Sequence, residues 1–491
     1  MKKLRRLLFR LIGLSLLVVT ALIGFNTFNY TSRQIEVAPV AKISIDDLAI
    51  QRLAEATRIP TVSFEDRIDT AAFLAFNTFL DTQFVWVDSL LEHDLVNTYS
   101  HVYKWTGRKP GLKPILLMAH IDVVPVEEES QSAWTHPPYS GAIADEYIWG
   151  RGTLDDKVNM LGVLEAFESL LRQNYQPERS IYLACGHDEE VGGREGAMAI
   201  ARWFRQQDIE FEYILDEGGV ILEKALPGLE APLALIGTCE KGFTTLSLSV
   251  NLEKGGHSSM PPSETAIGII SKAIAQLEAN PFPEQMQGPI RQLFDHAGPE
   301  TQYPYRMIFA NLWLFEGLLA GQLSKATTTN AAIRTTIAPT LINAGFKSNV
   351  LPTSASATIN LRIIPGETIS SVIDYVKATI DDPRVQVQVA ESERFMSEPS
   401  VVSGTSTFGF RVIQKTSQEI FPHAVVAPSL VIAATDSRHY EGLSDQIFRF
   451  FAVQLEREDL SRIHGLDERI GTEAYRNLIR FYHQLILNSC K

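Results

Sequence analysis

At 491 residues the chain is too long for one ordinary core and implies two domains. A hydrophobic share of 45% and a charged share of 21% describe a folded globular protein rather than a disordered one. A net charge of −14 argues against a nucleic-acid partner, which needs a basic footprint. Cys185, Cys239 and Cys490 are widely spaced and odd in number, so they make neither a thiolate metal pattern nor a disulfide framework. Any metal chemistry must then rest on His, Asp and Glu.

The chain opens with Met1-Lys2-Lys3-Leu4-Arg5-Arg6, followed by an uncharged apolar run over 11–25, the layout of an export signal. At ~1.5 Å per residue the run alone falls short of a ~30 Å hydrocarbon core. Adding Leu7, Leu8 and Phe9, with Arg10 snorkelling to the headgroups, brings it close to spanning. No small-x-small cleavage site follows. Residues 1–30 are therefore read as an uncleaved single-pass membrane anchor, with the body exported to a periplasm, a lumen or the exterior; the alternative is a cleaved signal and a secreted protein.

A linker over 31–42 leads to helical patterns over 46–57 and 69–80, the second with Phe73, Phe76 and Leu80 on one face. The run 115–119 is continuously apolar, as in a strand buried on both faces, and it ends in His120-Ile121-Asp122. Period-two alternation points His120 and Asp122 the same way, and a carboxylate beside an imidazole is how a metal-ligating histidine is oriented. The turn Gly150-Arg151-Gly152-Thr153-Leu154-Asp155 enters an amphipathic helix over 156–173. A second buried strand, 181–185, ends in Gly186-His187-Asp188-Glu189-Glu190, and a helix over 194–207 follows. A third, 211–215, ends in Asp216-Glu217. Alternating strands and helices imply an α/β unit with a mostly parallel sheet flanked by helices, and in such sheets sites form beyond the carboxyl ends of the strands.

Near residue 240 the character changes. Leu246, Leu248, Val250 and Leu252 alternate with polar residues, as in a sheet with one open face. Helix 263–279, strand 353–364, helix 368–381 and strand 384–390 suggest a smaller inserted α+β lid or dimerisation domain. Within it 281–330 is aromatic-rich and punctuated by proline. The apolar stretch 307–323 is open between an acyl-binding pocket, a subunit interface and plain lid core. The first style resumes with helix 407–419, strand 425–434, the segment Thr435-Asp436-Ser437-Arg438-His439-Tyr440, and a closing helix over 471–487 preceded by Ile463-His464-Gly465. The expected domains are the first part of a catalytic, metal-binding unit over 43–240, the insertion over 241–392, and the second part of the catalytic unit over 393–491.

The candidate ligands are His120, Asp155, Glu190, Asp216 and His464. Mixed imidazole and carboxylate donors without thiols suit Zn2+, or less often Mn2+ or Co2+. Five donors exceed what one catalytic zinc needs. One carboxylate shared by two ions, each with a further His and carboxylate, uses all five, and such ions activate a bridging water. Glu189, beside a ligand, is the candidate general base. Asp216 and Glu217 compete for one ligand position, and Asp216 is preferred because it directly ends the strand. His93, His101, His296, His423 and His483 lack any ligand neighbourhood and are read as packing or surface residues, while His187 and Asp188 are read as supports for the Glu189 turn.

HIDVVPV (120–126), GRGTLDDK (150–157), HDEEVGG (187–193), LDEGG (215–219), KGGHS (254–258) and IHG (463–465), in this order, resemble the aminoacylase and glutamate-carboxypeptidase superfamily of co-catalytic zinc exopeptidases. TDSRHY (435–440), the long middle insertion and the terminal IHG-x-x-E-x-I resemble the branch of carboxypeptidase S (Gly-Xaa carboxypeptidase) and N-fatty-acyl-amino-acid synthase/hydrolase. The resemblance implies two zinc ions bridged by Asp155, one also held by His120 and Asp216, the other by Glu190 and His464. It makes Glu189 the general base, places Asp122 behind His120, and implies a cis bond after Asp155. It assigns His257 to the oxyanion, reaching in from the lid of the same or a partner subunit, and so allows a homodimer. Asn349, Arg362 and Arg438 are candidates for holding a substrate α-carboxylate, a role to which a planar guanidinium is suited. The implied reaction is hydrolysis of an amide bond next to a free carboxylate, in a small peptide or, alternatively, in an N-acyl amino acid. An inactive binding protein on this fold would lack a ligand or the base, and none is missing.

Overall fold

The computed structural model describes residues 2–390 and 396–490. Among the described residues the main sheet has eight strands, in the order Glu92–Val96, Ser100–Trp105, Ile181–Gly186, Ile115–His120, Tyr213–Leu222, Ile447–Leu455, Leu233–Glu240, Val425–Val431. The strands Ile181–Gly186, Ile115–His120, Tyr213–Leu222 and Ile447–Leu455 run parallel to one another and form its centre. Ile115–His120 explains why its sequence is apolar without alternation. Ile115, Leu117 and Ala119 pack against Val158, Leu161 and Leu164 of helix Lys157–Arg172. Leu116 and Met118 pack on the opposite face with Ile200 and Phe204 of helix Ala197–Gln206. Each fully buried aliphatic side chain contributes about 1.5–3 kcal/mol, so both faces demand apolar residues.

The sheet is mixed rather than parallel throughout. Glu92–Val96 and Ser100–Trp105 make an antiparallel hairpin at one edge, joined antiparallel to Ile181–Gly186. Glu92, His93 and Asp94 leave the outer strand largely solvent-facing, so no apolar pattern announced it. At the other side Leu233–Glu240 meets Ile447–Leu455 antiparallel and Val425–Val431 parallel.

A second, four-stranded sheet is antiparallel throughout, in the order Thr336–Ala344, Ser354–Ile363, Gly242–Asn251, Val385–Val389. Leu246, Leu248 and Val250 point to one side, where Ile270 of helix Ala266–Ala279 and Val372 and Val376 of helix Ile369–Ile380 cover them. The expected one-faced alternation is what this packing requires. Between these strands in sequence, Pro289–Ala297, Tyr305–Ala310, Leu312–Leu323 and Thr327–Ile333 are helices sharing an apolar cluster of Ile290, Phe294, Phe309, Leu312 and Ile333. They are not part of the second sheet's core: Ala297 packs with Val425 and Ala427 at the edge of the main sheet. The chain begins with a 27-residue helix, Lys2–Phe28, none of whose residues is buried.

Candidate metal centre

Three parallel strands deliver the site. Ile115–His120 ends in an imidazole aligned with Gly186 of its neighbour, so the turn after Gly186, with Glu189 and Glu190, opens beside it. Asp122 ties the two together. Its carboxylate accepts the Glu189 and Glu190 backbone N–H groups, each at 3.1 Å, and the Ser63 hydroxyl at 2.6 Å. Its Oδ1 also lies 3.3 Å from His120 Nδ1, whose hydrogen-bond partner is the Asp122 carbonyl at 3.1 Å. His120 Nε2 is thereby turned outward, and Asp122 itself is fully buried.

Asp155 faces two imidazoles. Its Oδ1 is 2.9 Å from His120 Nε2 and its Oδ2 is 2.9 Å from His464 Nε2. Glu217 Oε1 lies 3.5 Å from His120 Nε2 on the first side, and Glu190 Oε1 lies 3.1 Å from His464 Nε2 on the second. The Asp155–Asp156 peptide bond is cis. Asp156 is buried, with one oxygen accepting the His120 N–H at 3.3 Å.

Glu217, not Asp216, faces His120, and the sheet register gives the reason. Strand Tyr213–Leu222 does not stop at Asp216 but bulges. Its pairing with Ile447–Leu455 jumps from Asp216–Arg449 to Gly219–Phe450, leaving Glu217 and Gly218 as extra residues. Bulges re-aim side chains beside active sites. Asp216 turns instead to Ser437, whose N–H donates to its Oδ2 at 2.8 Å. The geometry therefore favours Glu217 over Asp216 in the cluster with His120.

A buried ion pair holds the Asp155 loop against the His464 turn. Arg151 Nη1 meets Glu468 Oε2 at 2.5 Å, while Arg151 Nη2 donates to the carbonyls of His464 and Gly465 at 3.1 and 3.2 Å. Glu468 Oε1 accepts the N–H groups of Gly152, Leu154 and Asp155 at 2.9, 2.8 and 3.2 Å. His464 has a positive φ of 59°, and a Cβ on Gly465 would sit 2.2 Å from the Ser461 carbonyl, so the turn needs glycine there. Sequence reasoning assigned no role to Arg151, Glu468 or Ser63. The first two lie inside motifs already singled out, which was the signal available.

The electrostatics of the cluster follow from its burial and from the carboxylates crowded around its two imidazoles. Burial pushes the carboxyls of Glu189 and Glu190 upward and that of Glu217 to about 7, the last aided by the charge of Asp155. Burial opposes protonation of His120, yet its contacts with Asp122, Asp155 and Glu217 hold it well above the usual imidazole range. Hydrogen bonds to Asp155 and Glu190 raise His464 to about 10. So many acids around two imidazoles call for added positive charge. Ligating atoms of His120, Asp155 and Glu190 lie within 4.8 Å of one another, as do those of His120, Asp156 and Glu217. The donor set thus fits divalent metal of the zinc class.

The remaining sequence candidates lie elsewhere. His257 sits on the short exposed strand Gly256–His257, paired with Val350–Leu351, and its Nδ1 is 2.8 Å from Ser259 Oγ. Asn349 is beside it, its carbonyl accepting the Ser258 N–H at 3.2 Å. Arg362, on the second sheet, lies over the Phe243 ring at 5.1 Å. Arg438 donates to the Thr435 carbonyl at 3.1 Å in the turn that Asp216 holds. His187 bonds Ser100 Oγ at 2.6 Å, and Asp188 accepts the N–H groups of Glu195 and Gly196, both supporting the Glu189 turn.

The family model for peptidase family M20/M25/M40 matches residues 116–488. The chain is 45% identical over 494 residues to the probable carboxypeptidase S-like 2 of Dictyostelium discoideum, covering 98% of this chain and 93% of that one. It is 42% identical over 445 residues to the N-fatty-acyl-amino acid synthase/hydrolase PM20D1 of Xenopus tropicalis, covering 90% and 85%. Among solved structures it is similar to the M20 family metallo-carboxypeptidase Sso-CP2 from Sulfolobus solfataricus, with a TM-score of 0.64 at 15% identity, covering 90% of this chain and 99% of that one.

Proposed function

This chain belongs to peptidase family M20/M25/M40, and from that premise we propose that it hydrolyses the amide bond next to a free carboxylate, acting as a carboxypeptidase on small peptides. The observation that carries the reading is Asp155, with one oxygen on His120 and the other on His464. Two divalent ions would be held there, one by His120, Asp155 and Glu217, the other by Asp155, Glu190 and His464, with zinc the metal the donors suit and manganese or cobalt the alternatives. When bound, such ions polarise the substrate carbonyl and lower the pKa of water.

The chain's own residues do the rest. Glu189, fixed at its backbone by Asp122, takes the proton of the attacking water and delivers it to the leaving nitrogen. Its burial raises its proton affinity, which suits a group that must accept and then release a proton. Arg151 and Glu468 keep the Asp155 loop and the His464 turn in register. His257 would donate to the oxyanion that develops on the carbonyl, from the lid domain of the same chain or a second copy. Arg362, Arg438 and Asn349 are the groups proposed to bind the α-carboxylate.

A second reading, an N-acyl-amino-acid amidohydrolase or synthase, is supported by the 42% identity to a relative named for that activity. The first helix, long and apolar enough to cross a membrane, bears on where the protein sits and not on this choice. Lys2, Lys3, Arg5 and Arg6 at its start favour retention of that end in the cytoplasm, so the body would be exported on a single-pass anchor. The test runs a Gly-Xaa dipeptide and a long-chain N-acyl-phenylalanine side by side on the full chain, metal-stripped and zinc-loaded, with Glu189→Gln as control. Zinc-dependent turnover abolished by the substitution is expected, and the preferred substrate chooses between the readings. Turnover that survives stripping, or survives Glu189→Gln undiminished, would overturn the proposal.

A further inference from the structure

The helix Leu312–Leu323 is apolar over most of its circumference, with Glu316 and Gln322 its exposed polar residues. Leu312 and Ala320 are buried in the cluster with Phe294 and Phe309, and Leu319 and Leu323 pack against it. The opposite side is equally apolar but uncovered: Trp313 is 53% exposed, Leu314 46% and Leu318 69%. With Gly317 and Gly321, also exposed, these residues fall on one face at helical spacing. Glu316 is the one charged residue in the helix, while Arg306 and Lys325 flank it. A helix this apolar belongs in a core or a membrane, and half of this one is in neither.

Its position says what covers it. Asn311, fully buried at the start of the helix, is bonded to the far end of the N-terminal helix. It accepts from Asn26 Nδ2 at 3.1 Å and donates to Thr27 Oγ1 at 3.1 Å and to the Ile23 carbonyl at 3.3 Å. The same Asn311 Oδ1 accepts the Trp313 indole N–H at 3.2 Å. Tyr30, just beyond that helix, donates to the Phe294 carbonyl at 2.5 Å, and Arg306 donates to the Tyr30 carbonyl at 2.7 Å. The exposed face therefore begins where the apolar run 11–25 gives way to Asn26, the level at which a spanning helix leaves the hydrocarbon. Tryptophan is the residue that prefers this level, its ring in the interface and its N–H bonded.

We propose that Leu312–Leu323 is a second membrane element, lying in the bilayer interface beside the N-terminal helix with Trp313, Leu314 and Leu318 in lipid. The inference rests on the membrane-anchor reading of Lys2–Phe28. It adds a second point of seating to the spanning helix, since interfacial binding adds the burial of a second apolar face to that of the spanning helix. The catalytic body is then held at a fixed orientation on the outer leaflet. That continuity with the spanning helix favours lipid over a second copy of the chain as the occupant.

Cysteine labelling of the full chain tests this, because Cys185, Cys239 and Cys490 are all buried. An environment-sensitive fluorophore is placed at Leu318→Cys, at Val18→Cys in the first helix and at Gln207→Cys on the exposed surface of the body. Each protein is reconstituted into phosphatidylcholine vesicles with and without spin-labelled lipid. We expect blue-shifted emission, strongly quenched by the spin-labelled lipid, at positions 18 and 318, and neither effect at 207. A label at 318 that behaves like the one at 207 overturns the proposal while leaving the anchor intact. Emission at 318 that is blue-shifted but unquenched by lipid, and that reddens on dilution of the protein, overturns it in favour of a second copy. If position 18 is not quenched, the anchor reading itself has failed, a result distinguishable from the other two.

Discussion

The two largest sheets among the described residues use opposite chemistry at comparable burial. In and beyond the central strands of the main sheet, Asp122, Asp156, Asp216 and Glu468 are all buried, and each carries hydrogen bonds to backbone or side chain. The inner side of the second sheet is aliphatic: Leu246, Leu248, Val250, Ile359 and Leu361 meet two helices. Buried carboxylates are costly unless bonded or metal-bound, so the first arrangement exists for chemistry and the second for shape. His257, the inserted region's candidate contribution to the reaction, sits outside that sheet on the short pairing of Gly256–His257 with Val350–Leu351, an exposed side chain whose value depends on where the whole region is held.

That contrast can be broken most severely at the base. Glu189→Gln is expected to lower kcat by about 10²–10⁴-fold while two equivalents of zinc remain bound by metal analysis. Loss of metal in this variant would show that Glu189 is a ligand instead. His257→Ala should cost ~10²–10³-fold in kcat with zinc affinity unchanged. If the lid serves a partner subunit, mixing His257→Ala with Glu189→Gln protein restores part of the activity; strictly additive inactivity rules that arrangement out.

Smaller effects sharpen the choice between neighbours. Glu217→Gln should weaken zinc binding by about 10–100-fold, and Glu468→Gln by a similar factor through the Asp155 loop, both read by competition with a fluorescent chelator. Asp216→Asn should do less, and an equal or larger loss there would return Asp216 to the ligand set. The least effect on the site comes from the second sheet's core. Leu248→Ala is expected to destabilise the protein by roughly 2–5 kcal/mol, seen in denaturant unfolding, with zinc affinity at the main sheet unmoved.

The strand ends were legible because a strand buried on both faces must be apolar until it reaches the site, so His120 and Glu189 stood out against what preceded them. The second sheet was legible through the alternation of Leu246, Leu248 and Val250. Which of Asp216 and Glu217 faces His120 was not, because that turns on a bulge set by pairing with a strand more than two hundred residues later. The partnership of Arg151 with Glu468 spans a still longer separation, and nothing local distinguishes a glutamate that will accept three backbone N–H groups. Helix 312–323 carried no period because both its faces are apolar, so its sequence did not tell a pocket, an interface and a core apart.

Glu468 gives the site a timetable. By the end of the strand Ile447–Leu455 the chain contains the residues of every strand of the main sheet, yet it has neither His464 nor the carboxylate that clamps Gly152, Leu154 and Asp155. Without that late segment the Asp155 loop lacks the acceptor of three of its backbone N–H groups. The centre is thus completed only by the last segment of the chain, the same segment whose helix Thr472–Ser489 fills the core with Tyr475, Leu478 and Ile486.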